Sequence, residues 1–206
     1  MKRKVKTKVK GFRTTDGAGV KLVRVLGNLT TKEFDPILML DSFDSINPDD
    51  YTAGFPMHPH RGIETISYVS RGKMVHRDSL GNEAGISDGE VQGMNSGSGS
   101  MDEEMVPAAE RLLGVQLWLN LPAKDKMSKP SYNRIKNEDI KEIEIEGGKI
   151  RLLAGKYGEH EGYKGDYLSM DYYDIHLNAD AEVTLTMEED DSVMVFTLLG
   201  DVYIDG

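Results

Sequence analysis

The 206-residue chain contains no cysteine. Neither a disulfide framework nor a thiolate metal site can therefore form, and any metal must be bound through nitrogen and oxygen ligands. The chain also lacks an apolar run of about 18 residues, which a transmembrane helix requires. Its lysine-rich start is not followed by the apolar core of a signal peptide. We therefore expect a cytoplasmic protein with no membrane partner.

Positive charge is scarce outside one short segment. The formal net charge is -10, and six of the 25 basic residues lie within the first ten positions. The acidic remainder argues against broad binding to phosphate backbones, so no direct contact with nucleic acid is expected. In residues 4–10 lysines alternate with valine and threonine. This pattern predicts a half-buried strand whose outer lysines discourage pairing with other sheet edges.

The remaining pattern is that of a β-protein large enough for one big domain or two small ones. The best helix candidate is the short segment 137–145. Residues 68–72 and 196–200 each form an apolar run ending in a glycine turn before a second strand, which suggests two related β domains. Short apolar or alternating runs predict strands at residues 4–11, 19–26, 37–40, 63–69, 113–121, 149–153, 167–177, 182–187, 192–199 and 201–204.

Two histidines, His58 and His60, flank a proline that disfavours a helix. In an extended segment side chains alternate between the two faces, so both imidazoles point the same way and can reach one metal ion. Glu64 continues this parity and is a candidate extra ligand if no bulge intervenes. The alternative is a pair of surface-loop histidines, because such short motifs also occur by chance.

Asp102 and Glu104 repeat the same spacing, so an extended segment would place both carboxylates on one face. The alternative is a solvated acidic run at 102–104. His76 precedes charged residues and is expected at the surface. Trp118, the only tryptophan, is expected to be a packing anchor.

Four segments together resemble the pirin family, a two-domain branch of the cupins, and the similarity extends over essentially the whole chain. The segments are DPILMLD at 35–41, GFPMHPHRGIET at 54–65, HRDSLG at 76–81 and GVQLWLNLPAKDKM at 114–127. The resemblance implies an all-β cupin fold of jelly-roll β-barrels. It also implies an N-terminal pirin cupin domain at 1–128, a connector at 129–148, and the first part of an incomplete C-terminal cupin domain at 149–206. The missing strands would lie in further chain or come from a second copy in a homo-oligomer.

By this resemblance the metal ligands are two histidines of the first motif, then a histidine and a glutamate of a later one. His58 and His60 match the first pair, and Glu104 matches the glutamate. Asp102 replaces the third histidine, and Gly93 stands where family members often carry an aromatic residue. Because aspartate is shorter than histidine, the ion shifts, a water bridges, Glu64 assists, or the site is lost. The implied ion is a divalent transition metal, with Fe(II) favoured and Mn, Ni, Cu and Zn as alternatives.

Two functions remain open from the sequence. Some pirins open the flavonol ring with O2 as quercetin 2,3-dioxygenases. In this interpretation His58, His60 and Asp102 bind the ion, while Glu104 is a ligand and also the catalytic base for a flavonol-like substrate. The alternative is a non-enzymatic regulatory module whose metal state controls the binding of a protein partner. A catalytically silent cupin, stable without metal, is a third possibility.

Overall fold

The computed structural model describes residues 2–204, and its regular structure is almost entirely β-strand, which confirms the all-β expectation. A one-turn helix α1 (Thr31–Phe34) and a 3-10 turn (Pro48–Asp50) interrupt the strands. In chain order the strands are β1 (Phe12–Asp16), β2 (Val20–Leu26), β3 (Ile37–Ser45), β4 (Phe55–His60), β5 (Ile63–Arg71), β6 (Lys73–Asp78), β7 (Glu83–Ser87), β8 (Glu90–Asn95), β9 (Ser100–Met105), β10 (Leu112–Asn120), β11 (Ser131–Ile135), β12 (Lys141–Ile145), β13 (Gly148–Ala154), β14 (Lys156–Tyr157), β15 (His160–Glu161) and β16 (Tyr172–Leu177).

Two antiparallel sheets form the N-terminal part of the molecule. The larger has the spatial order β1-β2-β3-β10-β5-β8-β11, and the smaller has the order β4-β9-β6-β7. Residues from both sheets build one apolar cluster, in which Phe43 and Val69 of the larger sheet meet Met74 and Ile86 of the smaller. The smaller sheet thus packs over one face of the larger, and β9 lies in its interior between β4 and β6.

The larger sheet is buried on both faces, so strand β10 is apolar or buried along nearly its whole length. Leu112 belongs to the cluster between the two sheets. Val115 and Leu117 belong to a second cluster, which they share with Ile140 and Leu153 from the C-terminal part. A strand that is covered on both faces has apolar residues along nearly its whole length, as residues 112–121 do.

The C-terminal part contains a three-stranded antiparallel sheet, β12-β13-β16, and a small ladder, β14-β15. Residues 178–204 form no strand in the described part of the chain. The predicted strands at 182–187, 192–199 and 201–204 are therefore wrong for this structure. Their apolar residues have no neighbouring strand with which to make a ladder, and alternation alone does not form a sheet.

Three further predictions differ from the structure. The strand expected at 167–177 covers only Tyr172–Leu177. Residues 137–145 do not form a helix, because 141–145 are strand β12, which pairs along its whole length with β13. The period-two alternation of Lys141–Ile145 matches this pairing, with Ile143 opposite Ile150. The first strand does not cover residues 4–11 but begins at Phe12, where pairing with Arg24 of β2 starts.

The expected connector at 129–148 contains ordered strands at both ends. Strand β11 pairs with β8 of the larger sheet, whereas β12 belongs to the C-terminal sheet. The domain boundaries at 128 and 149 remain a prediction. Among the described residues, no helix has the length and apolar character needed to cross a membrane.

Candidate metal centre

Strand β9 lies in the middle of the candidate metal centre, since it pairs with β4 on one side and with β6 on the other. Its Asp102 lies opposite His58 of β4 on one side and opposite Asp78 of β6 on the other. Glu104 lies opposite His76 of β6. Directly paired residues of antiparallel strands project from the same face, so these side chains share one surface of the smaller sheet.

The two histidines of β4 lie side by side, with ring centroids 4.6 Å apart. His60 is buried, and its Nε2 lies 3.9 Å from Oδ1 of Asp102. The Nδ1–H of His58 donates to the carbonyl oxygen of Pro56 at 2.9 Å. That bond fixes the tautomer, so Nε2 of His58 keeps a lone pair for a ligand.

The acidic segment at 102–104 is not a solvated run. The exposed fractions of Asp102 and Glu104 are 0% and 4%. Glu103 points to the opposite face, where it accepts a hydrogen bond from Arg77 at 2.9 Å. Among residues 2–204, no N–H group donates to the carboxylate of Asp102, and its side-chain hydrogen bond is with the Glu104 carboxyl, which donates when it is protonated. When Glu104 is ionised, both oxygens of Asp102 are unpaired, and because buried polar atoms are almost always paired, a cation fits here.

Burial controls the protonation of the centre. It lowers the pKa of His60 to about 4, with help from the neighbouring His58, so His60 is neutral at physiological pH. Burial raises the pKa of Asp102. It raises the pKa of Glu104 well above its usual value, and the adjacent Asp102 charge adds to the effect. A cation would reverse these carboxylate shifts, since positive charge favours the ionised form.

His76 is not at the surface, contrary to the expectation from sequence. It lies in β6 with 1% of its surface exposed, and its ring stacks on Tyr132 at 4.3 Å between centroids. Its Nε2 lies 3.1 Å from Oδ2 of Asp78. The charged residues that follow it suggested solvent, but only alternate residues of β6 point outward, and Arg77 is one of them.

The potential ligand atoms form two overlapping groups of three. His58, His60 and Asp102 make up one group, and His76, Asp102 and Glu104 make up the other. Within each group the ligand atoms lie within 4.8 Å of one another. Asp102 therefore connects the predicted histidine pair with Glu104.

Glu64 is not part of either group. Its parity with His60 is interrupted at Gly62, which has a φ of 67° in the turn between β4 and β5. Strand β5 then joins the larger sheet, where Glu64 lies opposite Asn95 and Leu119. Burial and the nearby Asp166 raise the pKa of Glu64.

Trp118 contacts the centre instead of serving only as a packing anchor. Its ring lies edge-on to His60, with centroids 4.9 Å apart. The indole N–H is buried without a hydrogen-bond partner among the described residues. In the alternation of residues 113–121, Trp118 lies on the face that the leucines do not occupy. Local sequence does not show which strands cover that face, so it could not predict the contact with His60.

Comparison with known proteins agrees with the sequence pattern. A family model described as Pirin matches residues 19–119. A Pseudomonas aeruginosa protein with the provisional name quercetin 2,3-dioxygenase is 40% identical over 203 residues, which cover 95% of this chain and 71% of that protein. Human pirin is 32% identical over 206 residues, which cover 98% of this chain and 69% of that protein.

Solved structures show the same architecture. GK1651 from Geobacillus kaustophilus matches with a TM-score of 0.67 and 30% identity, covering 79% of this chain and 64% of that one. A quercetin 2,3-dioxygenase from Acinetobacter baumannii matches with a TM-score of 0.69 and 29% identity, covering 80% of this chain and 61% of that one. This chain therefore spans less than two thirds of the length of either solved protein. The cupin fold expected from the sequence is confirmed, and the chain belongs to the pirin family.

Proposed function

We propose that this chain carries the metal centre of a flavonol-type dioxygenase, with quercetin-like flavonols and O2 as substrates. The proposed ligands are His58, His60, Asp102 and Glu104. The observation that carries the proposal is the buried carboxylate of Asp102, which accepts no hydrogen bond from an N–H group of the described residues and lies beside two imidazoles, in a family with relatives named for this activity.

The donor set fits a divalent transition metal. Two neutral imidazoles and two carboxylates offer nitrogen and oxygen atoms whose total charge balances a 2+ ion. Such a set suits Fe(II), our first choice, and also Mn(II). When bound, the ion would act as a Lewis acid that lowers the pKa of a flavonol hydroxyl.

Glu104 is the proposed base. In the metal-free protein burial and the charge of Asp102 raise the pKa of Glu104, and a bound cation would lower that pKa again. The role of base therefore rests on position, because Glu104 projects from the inner face of β9 and its carboxylate forms one group of potential ligand atoms with Asp102. The buried position also keeps bulk water away from the transferred proton.

Trp118 and His60 would form one wall of the substrate site. The indole N–H has no partner among the described residues, so it can donate to a substrate oxygen at little cost. The edge-on contact with His60 at 4.9 Å fixes the indole close to the proposed ion.

The test is turnover by metal-loaded protein. The chain would be reconstituted anaerobically with Fe(II) and then mixed with quercetin and O2, while flavonol absorbance and O2 uptake are followed. We expect Glu104→Gln to lower kcat by about 10²–10⁴-fold. Glu103→Gln, on the outer face of the same strand, should leave kcat unchanged. Absence of quercetin loss by metal-loaded protein would exclude the dioxygenase.

A regulatory function is the second candidate, and the outer face of the smaller sheet favours it. Met57, Met101 and Met105 are exposed there, on the two strands that carry the proposed ligands. Exposed methionines are adaptable contacts at protein-binding surfaces. Metal loading without flavonol turnover, together with metal-dependent binding of one partner that Met101→Glu abolishes, would favour this function.

A further inference from the structure

We propose that four cationic side chains at one end of the N-terminal sheets border the entrance to the metal centre and select anionic substrates. The four are Arg61, Lys124, Lys126 and Lys129, and we call them the cationic rim. Three of them are exposed, and Lys126 is half-buried. This inference rests on the proposed function, and it deepens that function by naming the substrate class, which is a hydroxylated aromatic compound that carries negative charge.

The rim lies where the two ligand strands come to the surface. Strand β4 ends at His60, and Arg61 follows it in the turn that leads to β5. Strand β9 begins at Ser100, which lies directly opposite His60. At the other end of β9 the chain enters the apolar cluster between the two sheets at Val106. Because that cluster closes one end, the end bordered by the rim is the one from which a substrate can approach.

Segment 122–130, which carries the three lysines, is fastened across this end. Nζ of Lys126 donates to the carbonyl oxygen of Gly62, in the turn after β4, at 3.1 Å. The backbone N–H of Ser98, in the turn before β9, donates to the carbonyl oxygen of Ser128 at 2.9 Å. The segment therefore contacts the turns next to both ligand strands, and its lysines stay close to the centre.

The charges of the rim are not neutralised inside the molecule. In the part of the chain that the structure describes, none of the four side chains forms an ion pair. The guanidinium of Arg61 instead donates to the thioether sulfur of Met127 at 3.4 Å. By contrast, Arg111, which precedes the other end of β10, pairs with Asp44 at 2.7 Å.

Two carboxylates lie beside the rim. Asp125 belongs to segment 122–130, and Asp35 accepts a hydrogen bond from Asn120 at 3.2 Å. Asn120 in turn accepts one from Nζ of Lys126 at 2.6 Å. Four cations and two carboxylates leave this end positive, on a chain whose formal net charge is -10. Clustered like charges repel one another, so the stability of the fold does not account for the rim, whereas an anionic ligand would.

An approaching anion would be attracted by the rim more than by the ion. The carboxylates of Asp102 and Glu104 offset the charge of a divalent ion, and physiological salt screens exposed charges beyond about 8 Å. Charges of one sign beside a site raise the local concentration of oppositely charged ligands, and they accelerate association by about 10–10³-fold. The rim therefore favours flavonols that carry an ionised hydroxyl or an acidic substituent.

The experiment compares the association rates of an anionic probe, a sulfonated flavonol, and a neutral probe, the unsubstituted flavonol. Trp118 is the only tryptophan and its ring contacts His60, so quenching of its fluorescence reports arrival at the centre. The Fe(II)-loaded chain would be kept anaerobic, which prevents turnover, and mixed with each probe by stopped flow at low and high salt. We expect high salt to slow the sulfonated flavonol about tenfold and to change the neutral flavonol less than about twofold.

A triple variant, Arg61→Gln with Lys124→Gln and Lys129→Gln, removes most of the rim charge. It retains Lys126, because that side chain holds the turn after β4. At low salt the variant should bind the sulfonated flavonol about tenfold more slowly than the native chain does. Most of the salt dependence should disappear with it, while the rate for the neutral flavonol should stay the same.

The matched control is Arg71→Gln with Lys73→Gln and Lys141→Gln, which changes the net charge by the same amount. These three side chains are exposed, and they lie at the end of β5, the start of β6 and the start of β12. The control should retain the native association rates and their salt dependence. Thermal unfolding of both triple variants verifies that they are folded.

The outcomes separate this inference from the proposed function. A salt-independent rate for the sulfonated flavonol, or equal losses in the two triple variants, would overturn the rim and leave the dioxygenase standing. The expected salt dependence without loss of quercetin in the turnover test would support the rim and overturn the dioxygenase. If neither probe quenched Trp118, both proposals would be overturned.

Discussion

At position 102 the chain buries a carboxylate that accepts no hydrogen bond from an N–H group of the described residues and whose side-chain partner is another carboxyl, that of Glu104. Such a group costs free energy in the metal-free protein, because desolvation is not repaid by hydrogen bonds. The neighbouring Glu103, one residue away, is instead paired with Arg77 on the outer face. The contrast within one strand indicates that the inner face is built for a ligand rather than for stability.

Replacing Asp102 with asparagine should therefore stabilise the metal-free protein. We expect the free energy of unfolding to rise by about 1–3 kcal/mol, since a neutral amide is cheaper to bury than an unpaired carboxylate. The same variant should lose the increase in Tm that Mn(II) or Fe(II) produces in the native chain. Urea unfolding with and without metal measures both effects.

Glu103→Gln is the matched control for this prediction, because it makes the same type of change on the outer face. It should alter neither the unfolding free energy appreciably nor the metal-induced shift. If Asp102→Asn destabilised the metal-free protein, the contact between Asp102 and Glu104 would stabilise the fold by more than burial of the carboxylate costs.

At the scale of the strands, the centre depends on β9 being an interior strand. Its partners β4 and β6 supply imidazoles from opposite sides, so the ligands come from three strands that are distant in sequence.

In the larger sheet, glycine allows neighbouring strands to approach each other closely at some positions. A Cβ at Gly114 of β10 would lie 2.3 Å from the carbonyl oxygen of Tyr68, whereas one at Gly93 of β8 would have no neighbour nearer than 3.9 Å.

These two glycines make opposite predictions for substitution by alanine. Neither has a positive φ, so backbone strain does not enter. Gly93→Ala should raise the free energy of unfolding by about 0.5–1 kcal/mol, because it reduces the entropy of the unfolded chain. Gly114→Ala should lower it by about 2 kcal/mol or more, because the strands must move apart. Thermal and urea unfolding of both variants test the pair, and equal effects would contradict it.

At the scale of the whole molecule, one buried arginine joins the C-terminal sheet to the N-terminal part. Arg151 of β13 donates to the carbonyl oxygen of Gly89 at 2.8 Å and to Oδ1 of Asn137 at 2.6 Å. It also bonds Glu142 of β12 at 2.9 Å and lies 3.3 Å from the hydroxyl of Tyr68. The second apolar cluster surrounds this contact, with residues from both parts.

Arg151→Met should weaken that junction. It keeps a side chain of comparable length but leaves the buried carbonyl oxygen of Gly89 without this donor and removes the bonds to the exposed Asn137 and Glu142, so we expect a loss of about 1–3 kcal/mol in unfolding free energy. Arg77→Met, which removes an exposed arginine from a pair with Glu83 and Glu103, should have little effect. Hydrogen exchange should show the added opening in β12 and β13, and equal losses in the two variants would contradict the assignment.

The all-β class and the shared face of each predicted ligand pair follow from local sequence. Alternation is a property of a single extended segment, so His58 with His60 and Asp102 with Glu104 could each be placed on a shared face before any partner strand was known. The same rule failed for the predicted strands after residue 181, since a ladder also requires a neighbour.

Only the tertiary structure decided which segments meet. Pairing of β6 with β9 brings His76 beside Glu104, although 28 positions separate them in the chain. Nothing within residues 73–78 distinguishes an inner from an outer face, because that depends on which sheet covers the strand. The turn at Gly62 likewise moves Glu64 into another sheet. Sequence alone thus determined the four proposed ligands, whereas long-range strand pairing decided that Asp102 lies between two groups of ligands.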